Sequence, residues 1–287
     1  MKIAKTISAL RDLLDEPRRA NRGIGFVPTM GALHDGHLSL IRRARAETNV
    51  VVVSIFVNPM QFNEQSDLVN YPRDLDTDAD LVAGERADIL FAPDPAEIYP
   101  PGFKTTVAVR DLSEPLEGVS RGAAHFAGVT TVVAKLFNIV QPSVAYFGQK
   151  DAQQALIVQR MARDLAFPTR IEVCPTVREP DGLAMSSRNV QLDADSRGRA
   201  IALRRGLDVA EHMIAAGERN VATVVDAARR RMAEFGVVPE YFDIVSADEL
   251  ASLKSIENHV LVAVAALVGG VRLIDNVLMQ IPRVSTE

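Results

Sequence analysis

The stretch NVVVVSIFVNP, residues 49–59, decides the fold class of this sequence. Its β-branched and apolar residues follow one another without the polar alternation of a half-exposed strand, which is typical of a strand buried on both faces. Such strands belong to parallel sheets that carry helices on their two faces. The stretch therefore predicts an α/β protein.

Strand-like and helix-like segments alternate on either side of this stretch. GIGFVPT (23–29) predicts a strand, and a helical pattern runs from His37 to about Glu47. Further along come a helix in TDADLVAGERA (77–87), a strand in DILFAP (88–93), an apolar helix in HFAGVTTVVAKLFNIVQP (125–142), a strand in VAYFGQKD (144–151), a helix in DAQQALIVQRMARDLAF (151–167) and a strand in TRIEVCPTV (169–177). This order predicts a Rossmann-like, doubly wound parallel sheet, whose ligands bind beyond the carboxyl ends of the strands.

The pattern changes after about Val177. The apolar run HVLVAVAALVGGVRLIDNVLM (259–279) is interrupted by Gly269 and Gly270, so we expect two antiparallel strands joined at Gly-Gly and no membrane span. Before it come helix-like stretches at roughly Ala194–Ala216 and Ala222–Phe235 and a strand-like EYFDIVSA (240–247). We predict two domains, residues 1–176 and a smaller α+β domain, residues 177–287, which carries the loop MSSR.

Composition and charge exclude several classes of protein. The formal net charge is −5 and the pI is near 5.6, so no global field attracts nucleic acid, although a local basic pocket for a phosphorylated ligand stays open. A single cysteine, Cys174, excludes an internal disulfide and a thiolate metal cage, and we expect it to be buried. The charged, amphipathic N-terminus has no signal-peptide core, so we predict a cytoplasmic protein.

Two of the five histidines, His34 and His37, stand three residues apart in TMGALHDGHLSL (29–40), where a predicted strand gives way to a helix. The N–H groups and the positive dipole end of that helix face the ligand side of the sheet, and the imidazoles add donors for a phosphate that gains charge. The alternative is a helix-capping turn with two solvated histidines. The spacing alone leaves both open.

Two more segments could contact phosphate. In YFGQKD (146–151), Lys150 follows a buried strand and Asp151 could orient it or bind a ribose, whereas the alternative is a surface Lys–Asp turn. In AMSSRN (184–189), two hydroxyls, their N–H groups and a guanidinium could clamp a phosphate, whereas the alternative is an N-cap and linker. All three segments fall at strand ends or in the bridging loop, and together they could hold a triphosphate.

TMGALHDGH, FGQKD and GLAMSSRN together resemble the pantothenate synthetase (pantoate–β-alanine ligase) family. HDGH and MSSR are similar to the HIGH and KMSKS signatures of the wider superfamily of nucleotidyltransferases and class I aminoacyl-tRNA synthetases. VSIFVNPMQF, NYPRDLDTD and YFDIVSADEL extend the resemblance, in the expected order, to nearly the whole chain. It implies a homodimer that uses ATP and Mg²⁺ to condense (R)-pantoate with β-alanine through a pantoyl adenylate.

The resemblance also implies residue roles. His37 would be the catalytic donor, with His34 and Lys150 on the phosphates. Pantoate would lie between Gln61 and Gln154. ATP would contact Met30, Gly31, Ala32, Leu33, His34, Asp35, Gly36, His37, Gly148, Gln149, Lys150, Asp151, Val177 through its backbone, Met185, Ser186, Ser187 and Arg188. Asp78 would help to hold Mg²⁺, although its neighbour Thr77 stands where the family often has an acidic residue, and Gln149 stands where Glu is common.

Some residues and functions stay open at this point. His125 could line the phosphate pocket or cap the helix that it precedes, and Gln153 is expected at the surface. A nucleotidyltransferase that adenylates another small carboxylate or phosphate would use the same histidines. An aminoacyl-tRNA synthetase would need a tRNA-binding surface, for which this acidic chain gives no sign. A non-catalytic ATP-binding regulator would not need the full set of His, Lys, Ser and Arg residues.

Overall fold

The computed structural model describes residues 1–63 and 65–281. The strands are β1 (Lys2–Ala4), β2 (Ile24–Thr29), β3 (Val50–Ile55), β4 (Ile89–Phe91), β5 (Val144–Gly148), β6 (Arg170–Cys174), β7 (Tyr241–Ser246), β8 (His259–Val268) and β9 (Val271–Gln280). The helices are α1 (Ile7–Arg19), α2 (Asp35–Glu47), α3 (Gln65–Asn70), α4 (Leu75–Gly84), α5 (Pro95–Ile98), α6 (Glu117–Val140), α7 (Ala152–Asp164), α8 (Ala194–Ala200), α9 (Ala202–Ala215) and α10 (Val221–Ala233).

These elements form two compact units. The first contains Met1–Gln149 and Gln154–Pro175, and the second contains Lys150–Gln153 and the described residues from Thr176 onward. The division differs from a single cut after residue 176, because the four residues Lys150–Gln153, which lead into α7, group with the later part of the chain. Each unit has its own sheet and its own apolar core.

The first unit contains a parallel sheet in the strand order β1-β4-β3-β2-β5-β6. β2 lies at its centre, with Ile24 opposite Val50 of β3 on one side and Gly25 opposite Val144 of β5 on the other. The chain moves outward from β2 through β3 and β4, and later returns to the opposite side of β2 as β5. The strand order therefore reverses between β2 and β5, which is where open α/β sheets bind their ligands.

The valine run of β3 is buried because helices cover both faces of this sheet. Val50 and Val52 pack in a core with residues of α1, α6 and α7, whereas Val51 and Val53 pack in a second core with residues of α2 and α4. Successive side chains of a strand point to opposite faces, so a strand covered on both faces is apolar at every position. The predicted doubly wound α/β fold is confirmed.

The long helix α6 begins earlier than the sequence predicts. It starts at Glu117, eight positions before the predicted start at His125, and Gly122 (φ 76°, ψ 159°) interrupts its helical backbone. Its length and apolar composition would suffice to cross a membrane, but most of its apolar side chains are buried in the core of the first unit. It is therefore a core helix of this fold.

The second unit contains the antiparallel sheet β7-β8-β9. Gly269 (φ 56°) and Gly270 (φ 78°) form the two-residue turn between β8 and β9, a backbone that favours glycine. Alternate residues of β8, beginning with Val260, pack against apolar residues of α9 and α10. The expected antiparallel pair joined at Gly-Gly is confirmed.

One helix of the second unit and one strand of the first differ from what the sequence predicts. The stretch Ala194–Ala216 is wrong as a single helix, because α8 ends at Ala200 and α9 starts at Ala202. The break falls at Ile201, which keeps right-handed helical dihedrals (φ −59°, ψ −18°). Because this residue is neither glycine nor proline, the sequence does not mark the break. The edge strand β1 has only three residues, of which two are exposed, and its pattern predicts no strand.

Candidate active site

The turn after β2 carries both predicted phosphate-binding histidines of the first unit. His34 is the N-cap of α2, and its Nδ1 accepts a hydrogen bond from the N–H of Gly36 (3.1 Å). His37 stands at the third helical position, and its Nδ1 accepts from the N–H of His34 (3.4 Å). The imidazoles thus form a capping box, with ring centroids 4.2 Å apart. The capping alternative is correct in this respect.

This cap is compatible with phosphate binding and even prepares for it. A neutral imidazole whose Nδ1 accepts a hydrogen bond carries its proton on Nε2, so the cap selects the tautomer in which Nε2–H is the donor. The rings stand at the N-terminus of a thirteen-residue helix, where backbone N–H groups and the helix dipole favour an anion. Two donors of fixed tautomer at a helix N-terminus suit a phosphate.

Asp78 holds the preceding turn in shape. Its side chain, on the first turn of α4, is only 3% exposed, and its two oxygens accept the N–H groups of Ala32 (2.9 Å) and Leu33 (2.8 Å). Gly31 and Ala32 both have left-handed backbones (φ 85° and 51°), and a Cβ at Gly31 would lie 2.9 Å from a carboxylate oxygen of Asp78. The carboxylate therefore stabilises a turn that is otherwise unfavourable for L-residues.

The surroundings of Asp78 are unfavourable for a resident Mg²⁺, and its role as a metal ligand stays a prediction. The two N–H groups direct positive charge at the oxygens that a cation would need. Within residues 1–63 and 65–281, no group of three or more His, Cys, Asp or Glu side chains could hold a metal. Thr77, which stands where the family often has an acidic residue, donates its hydroxyl proton to Asp74 (2.8 Å).

The other predicted ATP contacts of the first unit lie close to this turn in the sheet. Gly148 ends β5, the strand beside β2, and Gln149 follows in a short 3₁₀ turn. Because parallel neighbours end at the same edge, the segments after β2 and β5 are adjacent at the reversal of strand order. Asp35 is exposed at the start of α2 and forms an ion pair with Arg42 (3.0 Å), which leaves its ATP role a prediction.

A hydrogen-bond chain orients Gln61, the predicted pantoate residue. The amide of buried Asn58 donates to Oε1 of Gln61 (2.9 Å), and Nε2 of Gln61 lies 3.0 Å from the sulfur of Met30. Tyr99 donates its hydroxyl proton to Oδ1 of Asn58 (2.8 Å), and burial raises the pKa of Tyr99, so it remains a donor. Asn58 and Tyr99 therefore fix the orientation of the Gln61 amide, with Oε1 toward Asn58 and Nε2 toward Met30.

The turn that carries Gln61 is also clamped from α6. His125 Nδ1 lies 2.7 Å from the carbonyl oxygen of Gln61, and the carbonyl of Gly128 accepts from Asn58 (3.1 Å). A Cβ at Gly128 would come within 2.4 Å of the Met60 carbonyl oxygen, so only glycine permits this approach. His125 stands three residues after the break in α6 at Gly122, and of its two expected roles a place in the phosphate pocket stays a prediction.

Lys150 and Asp151 belong to the second unit. They follow Gln149 in the 3₁₀ turn, and the Lys150 ammonium lies 3.5 Å from an Asp151 carboxylate oxygen. The Lys150 side chain is about one-fifth exposed, whereas Asp151 is about half exposed. The expectation that Gln153 is a surface residue is wrong, since it is 5% exposed. Gln154, the third residue of α7, belongs to the first unit and is partly buried, and its pantoate role stays a prediction.

The predicted phosphate loop of the second unit grows from a small hairpin. Arg178 bridges to Ala184, and the N–H of Met185 donates to the carbonyl of Val177 (3.0 Å), so the backbone of Val177 already serves the hairpin. After Met185 the chain forms a tight turn in which the hydroxyl of Ser186 accepts the N–H of Arg188 (3.2 Å). Met185, Ser186, Ser187 and Arg188 are all partly buried.

Side chains around this hairpin fix its shape. Asn189 donates to Glu179 (2.7 Å) and to the carbonyl of Ala184 (3.1 Å). Arg197 forms ion pairs with Glu179 (2.7 Å) and Asp181 (2.6 Å). The hydrogen bond to Asp181, with that to Glu179, keeps the pKa of Arg197 above its usual value, against the lowering effect of burial. The loop from Met185 to Arg188 thus follows a hairpin whose shape is fixed by side-chain hydrogen bonds and ion pairs.

Known proteins match this chain along almost its whole length. The family model for pantoate-beta-alanine ligase matches residues 2–278. The chain belongs to the pantoate–β-alanine ligase family. It is 50% identical over 280 residues to pantothenate synthetase of Thermotoga neapolitana, covering 97% of this chain and 100% of that protein. It is equally identical over 282 residues to the Moorella thermoacetica pantothenate synthetase, covering 98% and 99%.

Solved structures of the family share the fold. Pantothenate synthetase from Thermus thermophilus superposes with a TM-score of 0.91 at 45% identity, covering 96% of this chain and 99% of that one. A pantoate-beta-alanine ligase from Francisella tularensis, complexed with beta-gamma ATP and beta-alanine, gives a TM-score of 0.79 at 35% identity, covering 97% of each chain. The predicted family resemblance is confirmed.

Sequence reasoning missed the residues that support the ligase site. Asn58 lies in the quoted stretch VSIFVNPMQF but received no role there, although Asn-Pro is a recognisable turn signal and Asn58 caps that 3₁₀ turn. Tyr99 lies in none of the quoted stretches. Gly128 is one small residue within an apolar helix, and only the packing distance reveals its role. Asp78 was predicted as a metal ligand, and its hydrogen bonds with the N–H groups of Ala32 and Leu33 were not predicted.

Proposed function

We propose that this protein catalyses the ATP-dependent condensation of (R)-pantoate with β-alanine, giving pantothenate, AMP and pyrophosphate through a pantoyl adenylate. The observation that carries the proposal is the match of residues 2–278 to one ligase family, with relatives about 50% identical along their whole length. The imidazole pair at the reversal of strand order supports it, because this is the place where a doubly wound sheet binds a nucleotide.

In the first step, a carboxylate oxygen of pantoate attacks the α-phosphorus of ATP. The new P–O bond forms as the bond from the α-phosphorus to the bridging oxygen breaks, and pyrophosphate leaves with that electron pair. Negative charge grows on the phosphate oxygens during this exchange. We assign the Nε2–H groups of His34 and His37 and the ammonium of Lys150 to these oxygens, with His37 as the principal donor.

In the second step, the neutral amine of β-alanine attacks the acyl carbon of the adenylate. A C–N bond forms, the C–O bond to the phosphate breaks, AMP leaves, and the nitrogen loses a proton. AMP is a good leaving group, so this step needs no protein nucleophile. The task of the protein in both steps is to hold the reactants in line and to exclude competing water.

Gln61 and Gln154 are proposed to bind pantoate. Amides can contact hydroxyl and carboxylate groups without adding charge. For Gln61 the support comes from its surroundings. Oε1 accepts from Asn58 and one Nε2 hydrogen faces the Met30 sulfur, so the second Nε2 hydrogen is the one assigned to an anion. Orientation by Asn58 and Tyr99 therefore selects a carboxylate-binding amide.

We propose that Mg²⁺ enters with the phosphates of ATP, as part of the nucleotide substrate. Mg²⁺ keeps several waters and often binds through substrate phosphates. The N–H groups on Asp78 support this view, because they oppose a resident cation there. No step above is routed through a protein-bound ion.

Three further expectations belong to this proposal. The family resemblance favours a homodimer, and the acidic net charge favours small-molecule substrates over nucleic acid. The single cysteine, which allows no internal disulfide, favours a cytoplasmic location. Sedimentation of the purified protein tests the dimer.

Pantoate-dependent exchange of labelled pyrophosphate into ATP, followed by AMP release that requires β-alanine, tests the reaction. The expected result is exchange with pantoate alone and AMP only when both substrates are present. Exchange that requires an amino acid or a phosphorylated substrate in place of pantoate would assign the chain to another nucleotidyl-transferring activity. A chain that binds ATP without exchange would be a regulator.

A further inference from the structure

Two adjacent buried polar residues of β9, Asp275 and Asn276, have no part in the reaction described above. They are 2% and 5% exposed, in a strand whose other buried residues are apolar. Burying a carboxylate and an amide is unfavourable unless both are well hydrogen-bonded. Because neighbouring side chains of a strand point to opposite faces, each of the two reaches a different part of the second unit.

Asp275 holds the base of the hairpin that carries the Met185–Arg188 loop. Its two carboxylate oxygens accept hydrogen bonds from the two terminal nitrogens of Arg178, at 2.6 and 3.0 Å. Arg178 also donates to the carbonyl of Gly182 (3.0 Å), so one guanidinium joins β9 to the first strand and to the turn of the hairpin. Such a two-point pair fixes orientation as well as distance.

Asn276 holds the main chain at Lys150. Its Nδ2 donates to the carbonyl oxygen of Lys150 at 2.8 Å. This contact lies within the second unit, in which Lys150–Gln153 group with the residues after Thr176. The bond fixes the backbone from which the Lys150 ammonium extends, so it limits the positions that the ammonium can reach.

We propose that Asp275 and Asn276 are positioning residues for the adenylate-forming step. From adjacent places on one strand they fix the two segments of the second unit that are assigned to ATP, Lys150 and the Met185–Arg188 loop. The inference rests on that assignment within the proposed function. A purely structural pair would stabilise the second unit without a specific effect on either segment.

A double-mutant cycle tests the link between Asn276 and Lys150. We expect Asn276→Ala to lower kcat of pantoate-dependent ATP–pyrophosphate exchange about tenfold, because misplacement of a reacting group is costly. In the Lys150→Ala background the same change should lower kcat less than twofold, since the residue through which Asn276 acts is gone. Equal fold-changes in both backgrounds would overturn the proposal.

Asn220→Ala is the matched control. Asn220 caps α10 by accepting the N–H of Thr223 (3.0 Å), so its loss removes an asparagine hydrogen bond elsewhere in the second unit. We expect Asn220→Ala to lower the thermal midpoint but to leave kcat per folded molecule unchanged. A tenfold fall in this control would show that general destabilisation explains the Asn276 result.

Asp275→Asn tests the second arm. The variant keeps the shape of the side chain but removes the charge that faces Arg178, so we expect KM for ATP to rise about tenfold with a smaller change in kcat. An unchanged KM with only a lowered thermal midpoint would reduce Asp275 to a structural residue.

Calorimetric binding of a non-hydrolysable ATP analogue separates this inference from the proposed function. Binding needs no pantoate, and the same non-additivity between Asn276→Ala and Lys150→Ala is expected in the dissociation constant. If the wild-type protein shows no pantoate-dependent exchange while the binding cycle is non-additive, the assigned reaction is wrong and the positioning role stands. Additive binding changes would overturn the positioning role alone.

Discussion

Replacing Asp78 by asparagine tests whether the turn before α2 depends on a carboxylate. The wild-type side chain accepts two backbone N–H groups, from Ala32 and Leu33. An asparagine of the same shape can accept only one of them, and its NH₂ group would face the other N–H. A bond to a charged acceptor contributes about 1.5–3 kcal/mol, and a buried N–H left without an acceptor is unfavourable as well.

The expected loss is therefore about 3 kcal/mol. Ala32 keeps a left-handed backbone (φ 51°) that costs of order 1–2 kcal/mol without such support, so the turn would relax when its anchor is removed. Since about 1.4 kcal/mol corresponds to a factor of ten, the population of the native turn would fall about 10²-fold. Because His34 and His37 follow this turn directly, kcat/KM for pantoate-dependent exchange should fall by a similar factor.

The assay is ATP–pyrophosphate exchange over a range of Mg²⁺ concentrations, with Asp76→Asn as the control. Asp76 is an exposed carboxylate of the same helical turn, so its loss should change little. If Asp78 anchors the turn, excess Mg²⁺ will not restore the variant. Restoration by excess Mg²⁺ would make Asp78 a metal ligand, and a near-normal rate at all concentrations would refute the anchoring argument.

Three other predictions follow from the structure. His37→Ala and Lys150→Ala should each slow single-turnover pyrophosphate release by about 10²–10³-fold, the effect of losing one preorganised donor, and near-normal release would contradict their assignment. Gly128→Ala should raise KM for pantoate about tenfold, because the new Cβ would displace the backbone at Gln61. An unchanged KM would show that the turn at Gln61 does not take part in pantoate binding. Burial, with a smaller contribution from a nearby glutamate, raises the pKa of Cys174 from an ordinary value near 9 to about 11. The unfolded chain therefore loses this proton first, so the free energy of unfolding should fall as pH rises from about 9 to 11. Urea unfolding of Cys174→Ala should show a smaller fall, and identical pH profiles would argue against the shift.

The sheet of the first unit could be predicted because its central strands carry uninterrupted apolar runs. Uninterrupted runs such as residues 50–53 require cover on both faces, and the intervening helical patterns supply that cover. The order of the strands could not be derived in the same way, since it depends on pairings between distant segments. β1 pairs with β4 in the register Lys2↔Ile89, and the sequence of a three-residue strand does not indicate which strand it pairs with.

The motif residues of the candidate site could be recognised because their chemistry and spacing are local. His34 and His37 are separated by two residues and lie on one helical turn, so sequence alone places them together. Their support is not local. Arg178 and Asp275 are 97 positions apart, and Lys150 and Asn276 are 126 apart. Contacts of this kind become visible only when the chain is folded.

The grouping of Lys150–Gln153 with the later part of the chain has a consequence for dissecting the protein. A fragment that begins at Thr176 would contain the antiparallel sheet and its helices but would lack the segment whose carbonyl meets Asn276. The second unit is thus interrupted in sequence, and it cannot be excised or exchanged between relatives as one continuous piece. Recombination at residue 176 would join the Lys150–Gln153 segment of one parent to the β9 of another, so the chimaera keeps this contact only if the second parent supplies an amide donor at position 276.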